Sequence, residues 1–304
     1  MAQSEGEGDR MTSTIKEPTG AEVVKTRNRR NPFLSRLLKQ HLAVVSAAFI
    51  GLLIVIAVIG PWITPFDPDA QDTSASFAAP FTWPHVLGTD QLGRDTLSRL
   101  IAADRIALIA AAQALAVAMI VGVPVGVVAG YWGGFADRII MRVADAVQSL
   151  PPLIIAIGIV GALGPGLRNA MLALGLIFSP AFIRIVRASI MEVREETYIE
   201  ASRSIGTPSW RILVRRVAPN ALPPVLVQIS LVAGMSLTAE AALSLLGLGV
   251  QPPDASWGSM LAQGYNSMYM QPWLVVFPGI AIALAVLAFN LVGDGLRDAI
   301  GRRK

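Results

Sequence analysis

Residues Ala43 to Ile59 run without a single charged side chain. With the flanking Leu42 and Gly60, a helix rising ~1.5 Å per residue is long enough to cross the hydrocarbon core of a bilayer. Backbone inside lipid must satisfy every N–H and C=O within the chain, so such a run enters as a regular element and any irregular segment stays outside. Everything else in the chain has to be placed relative to this first span.

Pro61 and Trp62 end the span, with Trp62 placed as an interfacial anchor. Arg27, Arg29, Arg30, Arg36 and Lys39 crowd its approach and set the N-terminus in the cytoplasm by the positive-inside rule. Residues 1–31 are polar and aperiodic and read as a disordered tail. No apolar stretch with a cleavage site marks them as a secretory signal. The loop over 61–95 is then outside, and its early part carries Asp67, Asp69 and Asp72 without Lys or Arg. Inside it, Gly88-Thr89-Asp90 and Gly93-Arg94-Asp95 read as a tight hydrogen-bonded turn that opens a helix. Loop aspartates commonly cap, so Asp90 and Asp95 are read as structural rather than catalytic.

The second span is expected over about Ile106 to Ala129. Ala110, Ala114, Ala118, Gly122, Gly126 and Gly130 recur at intervals of four, a small-residue stripe that lets another helix approach closely. Such a stripe drifts around its helix, so a crossing partner is expected rather than a parallel one. A third span, about Val143 to Leu163, contains Pro151-Pro152 and must bend or break there. The fourth, about Asn169 to Ile190, is the least apolar, with Pro180 and with Arg184 and Arg187 placed to snorkel. The fifth, about Asn220 to Leu246, holds Gln228, Ser230, Ser236, Thr238 and Glu240. A carboxylate in a span marks function or pairing. Glu240 lies toward the outer end, where a paired structural role weighs at least as much as substrate contact. The following outside loop has no Lys or Arg but carries Trp257, Tyr265 and Tyr269. The sixth span, about Trp273 to Val292, returns to a cytoplasmic tail with Arg297, Arg302, Arg303 and Lys304.

Composition agrees with this reading and excludes others. Of 304 residues only 15% are charged, and the mean hydropathy is +0.56, far from a soluble domain. The net charge of +4 comes from basic residues beside spans and is no nucleic-acid signal. The chain has no cysteine, which excludes disulfides and thiolate metal sites. His41 and His85, its two histidines, stand far apart. No Gly-x-x-x-x-Gly-Lys-[Ser/Thr] occurs, so ATP is not bound here by a P-loop. A membrane-embedded hydrolase would need convergent acids, a Ser–Lys pair or a metal cluster, and Glu240 has no evident His, Lys or Cys partner.

The longest polar interruption of the second half runs from Tyr198 to Asn220. It reads as a short helix over Glu200–Ile205, a break and a second short helix. Gly206 stands where a helix C′ residue needs positive φ. Thr207 is placed to cap the next helix, Pro208 to fill its first turn and Pro219 to end it. Arg194, Arg203, Arg211, Arg215 and Arg216 make this the strongest positive-inside signal in the chain. A broken backbone of this kind cannot lie in lipid. It either turns the chain round or serves as a handle gripped by a cytoplasmic partner.

Glu200-Ala201-Ser202, three residues, Gly206 and a later Pro219 resemble the EAA loop of ABC-importer permeases. Gly88-Thr89-Asp90-Gln91-Leu92-Gly93-Arg94-Asp95 is similar to a turn of one permease subunit of dipeptide, oligopeptide and nickel importers, with Ala103-Asp104-Arg105 where that family usually has Gly-Ala-Arg. Ala129 to Gly134, Leu245 to Pro253 and Ala288 to Asp298 resemble the same family, so the likeness covers roughly residues 32 to 303. It implies an all-α membrane protein with the type I ABC importer permease fold, six transmembrane helices and a cytoplasmic helix–Gly–helix coupling loop at about 195–217. The divisions expected are the tail 1–31, the first helix and outer loop 32–102, and a core permease domain 103–304. Tyr198, Glu200, Ala201, Ser202, Ile205 and Gly206 would carry ATPase docking, with Tyr198, Ala201, Ser202 and Ile205 on the exposed face. Implied partners are a second homologous permease, two ATPase domains or subunits that bind ATP and Mg, an extracellular or periplasmic solute-binding protein, and the lipid bilayer of the bacterial plasma (inner) membrane. No nucleic acid, and no cofactor in this chain, is expected. The implied cargo is a di- or oligopeptide, with nickel or another small solute as the alternative. A passive channel would have no use for the handle.

Overall fold

The computed structural model describes residues 40–301. The tail 1–31, the basic flank from Arg27 to Lys39 and the terminal Arg302, Arg303 and Lys304 lie outside the described residues. The helices are α1 (His41–Ile63), α2 (Thr96–Trp132), α3 (Gly134–Gln148), α4 (Pro152–Leu163), α5 (Leu167–Arg194), α6 (Thr197–Ser204), α7 (Ser209–Ile212), α8 (Ala218–Ala221), α9 (Pro223–Leu245), α10 (Trp257–Tyr265) and α11 (Trp273–Gly301). Five of them, α1, α2, α5, α9 and α11, are long and apolar enough to cross a membrane, and the bent pair α3 and α4 is a sixth candidate when counted as one broken span. Among the described residues the only β pairing is two isolated bridges in the loop before α2.

α2 begins ten residues before the expected start. Asp95 is its N-cap: Oδ2 accepts from the Ser98 N–H at 2.8 Å and from the Ser98 hydroxyl at 2.7 Å. The apolar run had hidden this polar first turn, because its charges are satisfied by the preceding loop. Arg99, almost fully buried, donates to Pro68 O at 3.0 Å and to Asp69 Oδ1 at 3.1 Å. Asp90 accepts from the backbone N–H of Leu92 and Arg94 and from Arg94 Nε at 2.7 Å. The turn is structural, as read. Gly93 is required in it: its φ is +72°, and a Cβ there would sit 1.7 Å from Asp72 O.

The stripe on α2 finds its partner in α5. A Cβ on Gly122 would lie 2.7 Å from Ser179 O, one on Gly126 2.8 Å from Ile183 O, and one on Gly130 2.8 Å from Arg187 O. Gly175 of α5 answers with an equally close approach to Ala114 O at 2.7 Å. The register advances evenly on both helices, so they run side by side in the same direction over four turns. This corrects the expectation of a single crossing: small residues on both helices let the contact continue where a bulkier pair would splay. α5, one of the two least apolar spans, is mostly buried, whereas the highly apolar α1 is mostly exposed. A helix at the centre of a bundle faces protein and needs less hydropathy than one facing lipid.

Two parallel helices need a return path, and α3 with α4 supplies it. The third span is not continuous from Val143 to Leu163: α3 and α4 meet at 89° across residues 149–151. Pro151 and Pro152 cannot donate to the helix ladder, and Pro152 becomes the first residue of α4. The 12 residues of α4 rise only ~18 Å, short of the ~30 Å of a bilayer core. α3 is pinned across α5 by ion pairs. Arg187 grips both carboxylate oxygens of Asp137, and Arg184 Nη2 meets Asp145 Oδ1 at 2.7 Å. The arginines therefore pair with acids of α3 rather than snorkel.

α9 packs between α11, α2 and α5. Glu240, 2% exposed, accepts from the Ser244 hydroxyl at 2.8 Å and the Ser256 hydroxyl at 2.7 Å. Ser256 in turn caps α10 in a reciprocal box with Ser259. Glu240 is thus a tie between α9 and α10. Helix α11 runs nine residues past the expected end at Val292, to Gly301.

Candidate functional site

The chain between α5 and α9 folds into two short helical pieces at one end of the bundle. α6 spans Thr197–Ser204, three residues earlier at its start than the expected Glu200–Ile205. Its end is a Schellman motif: Gly206 N–H donates to Arg203 O at 2.9 Å, and Thr207 N–H to Ser202 O at 3.1 Å. Gly206 holds φ +79°, and nothing lies within 4 Å of where its Cβ would be. The need for glycine there is therefore purely conformational.

After the break, Pro208 is the N-cap of α7 rather than its first helical residue, and Thr207 makes no capping bond. Pro219 does not end this piece either. It lies in α8, and the backbone stays helical from Ser209 through a π turn at Leu213–Val217 and α8 into α9. A proline near a helix start loses no bond. Here the wide π turn before it absorbs the missing donor, so the second piece is the foot of the fifth span.

The two pieces are fastened to each other and to the spans. Ile199 of α6 and Ile212 and Val217 of the second piece are buried in the core. Ser202 Oγ donates to Tyr198 O at 2.6 Å and accepts from Arg216 Nη1 at 2.5 Å. Asn220 Nδ2 donates to Tyr198 Oη at 3.0 Å and Arg216 O at 2.7 Å. Tyr131, at the end of α2, donates its hydroxyl to Ser209 O at 2.9 Å. Arg194, at the end of α5, satisfies Gly130 O and Tyr131 O, two otherwise unpaired carbonyls of α2.

Of the residues expected on the free face, Glu200, Ala201 and Ile205 are exposed, and Tyr198 is partly so. Ser202 is not: it is 1% exposed and turned inward. Residues three apart on a helix share a face, so Ile199 selects Ser202 for the inner side. Sequence reasoning missed Trp210, 61% exposed beside Ile205 at 78% in chain order across the break. The Arg211 guanidinium sits 5.7 Å from its ring centre. An isolated tryptophan among arginines, away from any span, was the available signal. The result is a segment fastened to α2 and to the foot of the fifth span, with Ile205 and Trp210 exposed among exposed arginines.

A second feature lies where the third span breaks. A cavity of about 300 Å³ is lined by Pro152 and Leu153 of α4, Phe178 of α5, Met235 and Thr238 of α9 and Asn290 of α11.

The sequence matches the binding-protein-dependent transport system inner membrane component over residues 122–304 and the N-terminal TM domain of oligopeptide transport permease C over residues 32–85. The glutathione transport system permease protein GsiD of Pectobacterium atrosepticum is 40% identical over 281 residues, covering 91% of this chain and 93% of that protein. The probable D,D-dipeptide transport system permease protein DdpC of Escherichia coli is 39% identical, covering 85% and 87%. A permease chain of the inward-facing MetNI methionine ABC transporter shares the fold, with a TM-score of 0.53 and 20% identity over 64% of this chain and 93% of its own. The chain belongs to the binding-protein-dependent ABC-importer permeases, multi-pass proteins of the bacterial inner membrane.

Proposed function

We propose that this chain is one of two permeases lining the path of an importer for short peptides. It lies in the membrane with both termini in the cytoplasm and the α6–α7 projection on the same side. The arginines of that projection support this orientation. The relatives named for glutathione and a D,D-dipeptide support a short-peptide cargo.

The single observation that carries the mechanism is the projection. Its apolar tip, Ile205 and Trp210, is exposed while its base is locked by Ser202, Arg216 and Tyr131. A separate ATPase chain, which holds ATP and Mg, would receive Tyr198, Glu200, Ala201, Ile205 and Trp210 in a groove, with Gly206 fixing the turn between them. Closure of the ATPase pair then moves the projection as a solid body, and nucleotide shifts the spans between two arrangements by favouring one of them. A solute-binding protein delivers cargo on the opposite face. The cavity at the α3–α4 break, with Thr238 and Asn290 as its polar groups, lies on the path.

Reconstituted vesicles containing the assembled complex test this reading. Uptake of labelled di- and tripeptides, driven by ATP and dependent on the binding protein, is expected, and uptake of Ni²⁺ is not. Uptake of Ni²⁺ without peptide would assign the chain to metal import, and uptake independent of ATP would remove the importer reading.

A further inference from the structure

Asp104 on α2 is 2% exposed, and neither of its carboxylate oxygens has a hydrogen-bond partner. It lines an open cavity of about 300 Å³ between α1, α2 and α11. The walls are apolar: Leu53 and Ile56 from α1, Ile101 from α2, Phe277 and Ile280 from α11, and the ring of Trp257. Trp257 offers Asp104 nothing, because its indole N–H donates to Leu100 O at 3.1 Å. Asp104 is the only charged side chain among the lining residues.

The cavity also has a definite depth. Gly60, near the end of α1, packs against Ile101, and Asp104 lies one turn further along α2, ~5 Å deeper. The exposed Trp62 and Trp273 mark the same end of the molecule, as interfacial tryptophans do. Asp104 therefore lies about one turn inward from the end these tryptophans mark, within reach of an amphiphile's head.

A lone carboxylate in an apolar place is strongly disfavoured, and such groups are found neutralised or paired. A molecule with hydrocarbon for the walls and a cationic donor for the carboxylate satisfies both features of the site. We propose that the cavity binds an alkylammonium amphiphile, with its primary amine at Asp104 and its chain along Ile56, Phe277 and Ile280. Aminophospholipid from the bilayer and a free hydrophobic amine share this chemistry.

The test uses the complex purified with its partner subunits. Decylamine and decanol, equal in chain length, are titrated against wild type, Asp104→Asn and Ile56→Trp. Asp104→Asn keeps the shape and removes the charge, and Ile56→Trp fills the cavity and keeps the carboxylate. Wild type is expected to bind decylamine at least tenfold more tightly than decanol. Asp104→Asn should bring the two within twofold, and Ile56→Trp should weaken both. Native mass spectrometry of the same preparations separates the sources. One aminophospholipid retained per wild-type chain and lost in Asp104→Asn assigns the site to lipid. Selective decylamine binding without retained lipid assigns it to a soluble amine. Equal binding of decylamine and decanol by wild type, or an unchanged preference in Asp104→Asn, overturns the proposal.

Discussion

Arg216 donates to Ser202 Oγ at 2.5 Å, and this bond closes α6 onto the foot of the fifth span. Ser202→Ala removes it, yet the exposed Arg216 can turn to water, so the expected loss is only about 1 kcal/mol. Ser202→Leu forces a larger side chain into a filled site and should release α6, at a cost of about 1–3 kcal/mol. Tryptic cleavage after Arg203 measures the release: cleavage up to about fivefold faster than wild type is expected for Ala and faster still for Leu. Equal rates for all three proteins would show that Ser202 does not fasten the helix.

Gly206→Ala and Gly206→Val both force a side chain into φ +79°, at a cost of about 1 kcal/mol or more. The β-branched valine should be worse. Because no neighbour lies within 4 Å, the damage is confined to the turn, and the spans should insert normally. Peptide uptake should fall while ATPase activity persists, with Val more severe than Ala. Unchanged uptake in Gly206→Val would remove the projection from the mechanism.

Gly122→Leu and Gly126→Leu drive a side chain into the α5 backbone, whereas Val123→Leu and Val127→Leu act on partly exposed neighbours. The glycine variants should assemble poorly and the valine variants near normally. The yield of intact complex after solubilisation decides between them, and similar yields for all four would contradict the close contact.

Glu240→Gln retains an acceptor for Ser244 and Ser256, and Glu240→Ala leaves both hydroxyls without one. Loss of two buried hydrogen bonds costs roughly 2–3 kcal/mol. The thermal midpoint in detergent should drop clearly for Ala and little for Gln. If Gln is as damaging as Ala, charge rather than bonding matters at this position.

Topology is checked with single cysteines at Ser204 and Tyr269, both exposed. Ser256 is unsuitable, being fully buried in its capping box. A membrane-impermeant thiol reagent should label the Tyr269 site from outside the cell and the Ser204 site only after permeabilisation. The reverse pattern would invert the orientation.

The spans, the cap at Asp95, the left-handed turn at Gly206 and the small-residue stripe were legible because each rests on local chemistry. Hydrophobic length, an acceptor before a helix and an absent Cβ are properties of a few neighbouring residues. The direction of α5 beside α2, the pairing of Arg184 and Arg187 with α3, and the inward turn of Ser202 were not legible. Each depends on which distant segment arrives alongside. Pro219 misled for a related reason: a proline reads as a stop unless the wide turn before it is known. Asp104 stood out only as a charge where the family usually has alanine, and its isolation was not legible because it is a property of the walls around it.

The Tyr131 hydroxyl bonds Ser209 O, and the exposed Trp210 follows immediately in sequence. The hold and the exposed ring thus fall within a single helical turn. Anything that grips Trp210 therefore pulls on α2 and on the foot of the fifth span at the same point, so the two spans share one anchorage.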